Sequence, residues 1–99
     1  MKSYEERIKT TVQWISQAKH FVVFTGAGIS TDSGIPDYRG PNGVWTRRDQ
    51  GLPPPKIKKP LKDIKPNRGH KVIRKFQDWG ILKFLITQNV DNLHRASGI

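Results

Sequence analysis

The sequence predicts an α/β fold built on a parallel sheet, and three features of its 99 residues carry that expectation. Two short runs, FVVFT at 21–25 and ILKFLIT at 81–87, are almost wholly apolar or β-favouring. That is the character of strands buried in a parallel sheet rather than of alternating strands with one wet face. A stretch with helical spacing lies between them at 68–79, and strand, crossover helix, strand is the right-handed unit that joins neighbouring parallel strands. Each strand runs straight into a polar turn, GAGIST after the first and QNVDN after the second. In doubly wound sheets ligands sit beyond such C-terminal strand ends, so both turns are placed to converge on one site.

Taken in order, residues 3–19 read as an amphipathic helix. Ser3 and Glu6 fit a capping box, and Tyr4, Ile8, Val12, Ile15 and Ala18 recur on one face, which is expected to pack on the sheet. Trp14 falls off that stripe. After the strand at 21–25, Gly26 and Gly28 flank Ala27 ahead of a segment with helix-opening character. A strand, a glycine turn and a helix start together present backbone N–H groups to a phosphate. The third glycine of G-x-G-x-x-G is absent, with Thr31 in its place, and two glycines after a strand also make an ordinary turn. From Ile35 to about Pro66 the chain is proline-rich and without periodicity, with Pro53-Pro54-Pro55 at its centre. A connection of that length reads as a functional lid or a linker. Asn67 is a credible N-cap for the helix at 68–79, whose apolar face is Val72, Ile73, Phe76 and Trp79, with Gly80 closing it. The second strand follows at 81–87.

Composition sets bounds. A chain this short makes one small domain at most, and its 34% hydrophobic content with seven prolines leaves a thin core. No stretch approaches the eighteen or so apolar residues of a membrane span, and MKSYEERIK lacks the apolar region of a secretory signal. With no cysteine there is neither a disulfide nor a thiolate metal ligand. The net charge of +10 is concentrated between Thr46 and Lys75, where eleven Lys or Arg face only Asp49 and Asp63. The plain reading is a solvated basic surface; the sharper one is an electrostatic footprint for nucleic acid or another polyanion. Apart from Trp45 at its edge the segment has no aromatic residue for base stacking.

Two motifs raise a family resemblance. Gly26-Ala27-Gly28 continues to Ser33-Gly34-Ile35-Pro36-Asp37-Tyr38-Arg39-Gly40, and Thr87-Gln88-Asn89-Val90-Asp91-Asn92-Leu93-His94 lies near the other end. The pair closely resembles the sirtuin family of NAD-dependent protein deacylases, which carry GAGxSxxSGIPDFRG and TQNxDxLH in this order. Tyr38 stands where the family has Phe. Residues 40–46, GPNGVWT, look most like the chromatin-associated branch.

The resemblance implies the first strands and flanking helices of a Rossmann-like NAD-binding domain, with 1–99 as its N-terminal part and a basic Pro-rich loop at about 46–66. It implies NAD as cosubstrate and acyl-lysine protein as substrate, with ADP-ribosyl transfer as a side activity and an intracellular, cytoplasmic or nuclear setting. A zinc module on two CxxC pairs and the catalytic histidine of a later LHG would lie beyond this sequence. The chain is therefore expected to be a fragment, inactive alone, and His20, His70 and His94 are not assigned the role of base.

By the same resemblance, Gly26, Ala27 and Gly28 offer main-chain donors to the NAD diphosphate, with Thr31 in the following turn. Arg39 holds phosphate or ribose, Tyr38 shields the nicotinamide ribose, and Ile35 lines the nicotinamide pocket. Trp45 matches an aromatic that contacts NAD, or else pins the lid. Gln88 contacts ribose, Asn89 orients ribose hydroxyls and water, and Asp91 recognises the nicotinamide carboxamide, which suits an ionised acceptor. Asn and Asp after a strand also cap helices, so that reading stays open. The alternative from another class is a non-enzymatic basic module that binds nucleic acid or chromatin.

Overall fold

In the computed structural model, which describes residues 1–57 and 59–99, the chain forms helix α1 (Tyr4–Gln17), strand β1 (Phe21–Thr25) and a 3-10 turn at Ala27–Ser33. Helix α2 (Val44–Asp49), a second 3-10 turn at Leu61–Asp63, helix α3 (Arg68–Asp78), strand β2 (Leu82–Thr87) and helix α4 (Leu93–Ala96) follow. The two strands pair in parallel, with Val22 opposite Phe84, Val23 opposite Leu85, Phe24 opposite Ile86 and Thr25 opposite Thr87. This register brings both C-terminal ends together, so the two polar turns leave the sheet side by side.

The crossover helix begins where Asn67 caps it. Asn67 Oδ1 accepts from the Gly69 N–H at 2.8 Å, and the Asn67 N–H donates to His70 Nδ1 at 3.1 Å. The same side chain reaches out of the helix, its Nδ2 donating to the Ile29 carbonyl at 2.7 Å and to Ser33 Oγ at 3.0 Å. Asn67 thus fastens α3 to the first 3-10 turn. At the other end Gly80 takes φ 75°, a left-handed conformation that costs a residue with a Cβ, and its N–H returns to the Gln77 carbonyl. Between these caps Ile73 is buried, as is Leu93 of α4, and Phe76 meets Phe21 edge-on at 5.3 Å between centroids.

The structure departs from the sequence expectations in three places. The strands were expected to be covered on both faces, yet the cross-strand pairs Val22–Phe84 and Phe24–Ile86 are exposed. One crossover helix can cover only one face of a two-stranded sheet. Ser3 caps α1, accepting from the Glu6 N–H at 3.2 Å, although the reciprocal half of the expected capping box, from the Glu6 side chain, is not made, and the helix buries none of its residues. Its stripe of Tyr4, Ile8 and Val12 stays exposed, and the expected packing on the sheet is not made.

The connection from 35 to 66 is not structureless either. It contains α2 and the second 3-10 turn, both too short to leave a periodic signal in sequence. No helix among the described residues is long and apolar enough to cross a membrane.

Candidate functional site

Beyond the paired strand ends lies a cleft of about 610 Å³. The first turn and its continuation contribute Gly26, Ala27, Gly28, Ile35, Tyr38 and Arg39 to its lining, and the second turn contributes Gln88, Asn89 and Asp91. The structure thus brings together nine of the eleven residues singled out in the sequence. Thr31 and Trp45 do not line it. Thr31 turns its hydroxyl back to the Gly28 carbonyl at 3.0 Å and so holds the 3-10 turn. Trp45 stands behind the lining: its ring lies 5.1 Å from that of Tyr38, and the Arg39 guanidinium sits over it at 4.5 Å.

The loop that carries Tyr38 and Arg39 is held by α2. The Val44 N–H donates to the Asp37 carbonyl at 2.8 Å and the Trp45 N–H to the Tyr38 carbonyl at 2.9 Å, using donors that a helix start leaves unpaired. Asp37 Oδ1 also accepts from the Gly40 N–H at 3.1 Å. Close approach requires glycine at 43, where a Cβ would lie 2.5 Å from the Tyr38 carbonyl oxygen. At Gly28, by contrast, a Cβ would meet nothing within 4 Å, and at Gly26 only Gln88 Oε1 at 3.7 Å. The glycine turn is bare on its cleft side, with room for a group that approaches the backbone closely.

The two turns are also bonded to each other. Gln88 N–H donates to the Thr25 carbonyl at 3.1 Å, and Asn89 Nδ2 donates to the Gly26 carbonyl at 2.8 Å. Asp91 is held from both sides: Oδ2 accepts from the Ser30 hydroxyl at 2.5 Å and Oδ1 from the Leu93 N–H at 3.0 Å. Asp91 therefore lines the cleft while its Oδ1 holds the first N–H of α4, whose N-cap position is Asn92.

Beneath Asp91 lies a buried polar layer that sequence reasoning missed. Ser30 is 1% exposed and His70 fully buried. Because His70 Nδ1 accepts from Asn67, its Nε2 carries the proton and faces Ser30 Oγ at 3.4 Å. On the far side the Thr25 hydroxyl donates to Thr87 Oγ1 at 2.8 Å, so His94 Nε2–H donates to Thr25 Oγ1, also at 2.8 Å. His94 Nδ1 is left buried without a partner. The two imidazoles meet edge to face at 5.0 Å. Burial holds both below the ordinary histidine value; His94 lowers His70 further, while the Asp91 carboxylate opposes the shift at each. The cleft also receives Ile57 and Leu61 from the basic segment. Their apolar character amid lysines was the available signal.

The family description "Sir2 family" matches residues 26–56 and 55–99. Among curated proteins, the chain is 48% identical to the NAD-dependent protein deacetylase SRT1 of Arabidopsis thaliana, over 94% of this chain and 20% of that protein. It is 40% identical to an NAD-dependent protein deacetylase of Thermodesulfovibrio yellowstonii, over 97% of this chain and 44% of the relative. Among solved structures, "Sir2-p53 peptide-NAD+" superposes with a TM-score of 0.71 at 32% identity, covering 99% of this chain and 42% of that one. A second, "Structural Basis for the Mechanism and Regulation of Sir2 Enzymes", gives 0.77 at 32% identity over 96% of this chain and 44% of that one. The chain spans less than half the length of each of these relatives. With the family match covering the glycine turn, the Tyr38 loop and the second strand end alike, the chain belongs to the Sir2 family.

Proposed function

We propose that these residues supply part of the NAD and nicotinamide site of an NAD-dependent protein lysine deacylase. The observation that carries this reading is the convergence of two separate turns on one cleft, with Asp91 fixed at its floor by Ser30 and Leu93. The bare glycine turn at 26–28 suits a diphosphate, because unpaired N–H groups and missing side chains allow close approach. Tyr38 and Arg39, backed by Trp45, offer an aromatic wall and a cation to the same ligand. Asn89 and Gln88 offer amides to ribose hydroxyls, and ionised Asp91 is an acceptor for a carboxamide NH₂. Bound NAD would supply an electrophilic ribose carbon, open to attack by an acyl-lysine carbonyl oxygen as the bond to nicotinamide breaks and nicotinamide leaves. The chain's own residues orient and exclude water.

Solved Sir2 relatives are described with a peptide and NAD⁺, which supports acyl-lysine protein as the substrate class. ADP-ribosyl transfer would use the same cleft. By the same resemblance the general base is the histidine of a later LHG, and none of residues 1–99 is assigned that role.

The test is NAD-dependent release of acetate from an acetyl-lysine peptide. The full-length protein is expected to turn over, and residues 1–99 alone are not; absence of turnover by the full-length protein overturns the assignment, whereas turnover by residues 1–99 overturns only their expected inactivity. In the full-length protein, Asp91→Asn removes a charge-assisted acceptor worth about 1.5–3 kcal/mol. That is a loss of roughly 10- to 150-fold in kcat. Turnover and nicotinamide inhibition both unchanged in this variant would reduce Asp91 to a helix cap.

A further inference from the structure

The basic segment carries a pattern beyond its net charge. Lys56, Lys59, Lys62 and Lys65 recur at every third position, and all four are exposed. Pro60, at φ −56° and ψ 147°, is in polyproline II geometry, and Leu61–Asp63 is a 3-10 turn. Both conformations have three residues per turn, so Lys59 and Lys62, on either side of Pro60 and Leu61, lie on one side. Ile57 and Leu61 of the same segment enter the cleft lining, which the lysines do not. The row then runs on into α3, where Arg68, Lys71 and Lys75 are exposed at the i, i+3, i+7 spacing of one helix face.

Little within the chain neutralises this row. Among the described residues the ion pairs are Arg48–Asp49 and Arg74–Asp78, neither of which involves it. Arg47 is engaged elsewhere, with Pro53 O at 2.7 Å and Asn42 Oδ1 at 3.1 Å. Asp63 is the one acid between residues 50 and 77.

We propose that this row docks on the phosphodiester backbone of duplex nucleic acid without reading its sequence. A duplex presents a charge every 1.7 Å or so along its axis, so it meets cations wherever they fall. An acidic peptide would need a matching three-residue period of its own. The row has no aromatic side chain for stacking and is mainly lysine, a flexible point charge that neutralises phosphate and has no fork for bidentate base contacts. Because none of these cations lines the cleft, docking is independent of the NAD reading.

The experiment is titration of the full-length protein against a 20-bp duplex across 50–200 mM NaCl, without NAD. Seven phosphate contacts give a log–log salt slope of about −6, a loss of over a thousand-fold across that range. Lys59→Gln, Lys62→Gln and Lys65→Gln combined are expected to reduce the slope to about −4 and to leave NAD-dependent turnover unchanged. Lys2→Gln with Lys9→Gln, exposed cations on α1, is expected to leave the slope as it was. Three results overturn the proposal: a flat slope, an equal loss in the α1 control, or a 20-residue polyglutamate that binds as tightly as the duplex.

Discussion

Buried imidazoles give the site a dependence on pH. His70 and His94 are held below the ordinary histidine value chiefly by burial, and Asp91, the carboxylate in their layer, only partly offsets this. Between those lowered values and about 6.5 the unfolded chain binds more protons than the folded one. Stability is therefore complete above about pH 6.5 and falls as the pH drops through that window. The urea midpoint is expected to be lower at pH 5.5 than at 7.5, with the difference reduced in a His94→Gln variant; a midpoint higher at 5.5 contradicts it. That Asp91, Asn89 and Gln88 would line a cleft was legible because they follow a strand end. The histidine layer was not, since nothing in the spacing of Ser30, His70 and His94 shows that three distant residues stack beneath one carboxylate.

Among the elements, α3 was read almost to its ends, because Asn67 and Gly80 are specific chemical signals. Its reach was hidden. The amide Nδ2 of Asn67 satisfies Ile29 and Ser33, contacts that no local pattern announces. Asn67→Ala should lose the cap, about 1 kcal/mol, and leave the Ile29 carbonyl unpaired, about 1–3 kcal/mol more. Asn67→Ser keeps a cap oxygen but not that reach, so equilibrium unfolding should place it between the parent and the alanine variant. Equal stability of the serine variant and the parent would show that only the cap matters. Helix α2 escaped the sequence reading because six residues carry less than two turns of periodicity. Helix α1 was legible as amphipathic, while what its stripe would meet was not.

At the scale of the whole molecule, apolar surface and charge are both left open. The sheet exposes Phe24 at 61% and Phe84 at 63%, an unusual arrangement for a parallel sheet. Residues 1–99 alone are expected to bind a hydrophobic dye and to associate with rising concentration, and Phe24→Ser with Phe84→Ser to suppress both. Dye binding that survives this pair of changes would place the exposed surface elsewhere, on the stripe of α1. The parallel pairing has a kinetic corollary as well. Thr25 can meet Thr87 only when everything from 26 to 86 has been looped out, at an entropic cost of about 3.6 kcal/mol. Contacts so distant in sequence form late and slowly. The floor of the cleft depends on that meeting, since Gln88, Asn89 and His94 all bond to groups at the end of β1. Recovery of ligand binding during refolding should therefore lag behind recovery of helix signal, arriving in one step as the last native property to return.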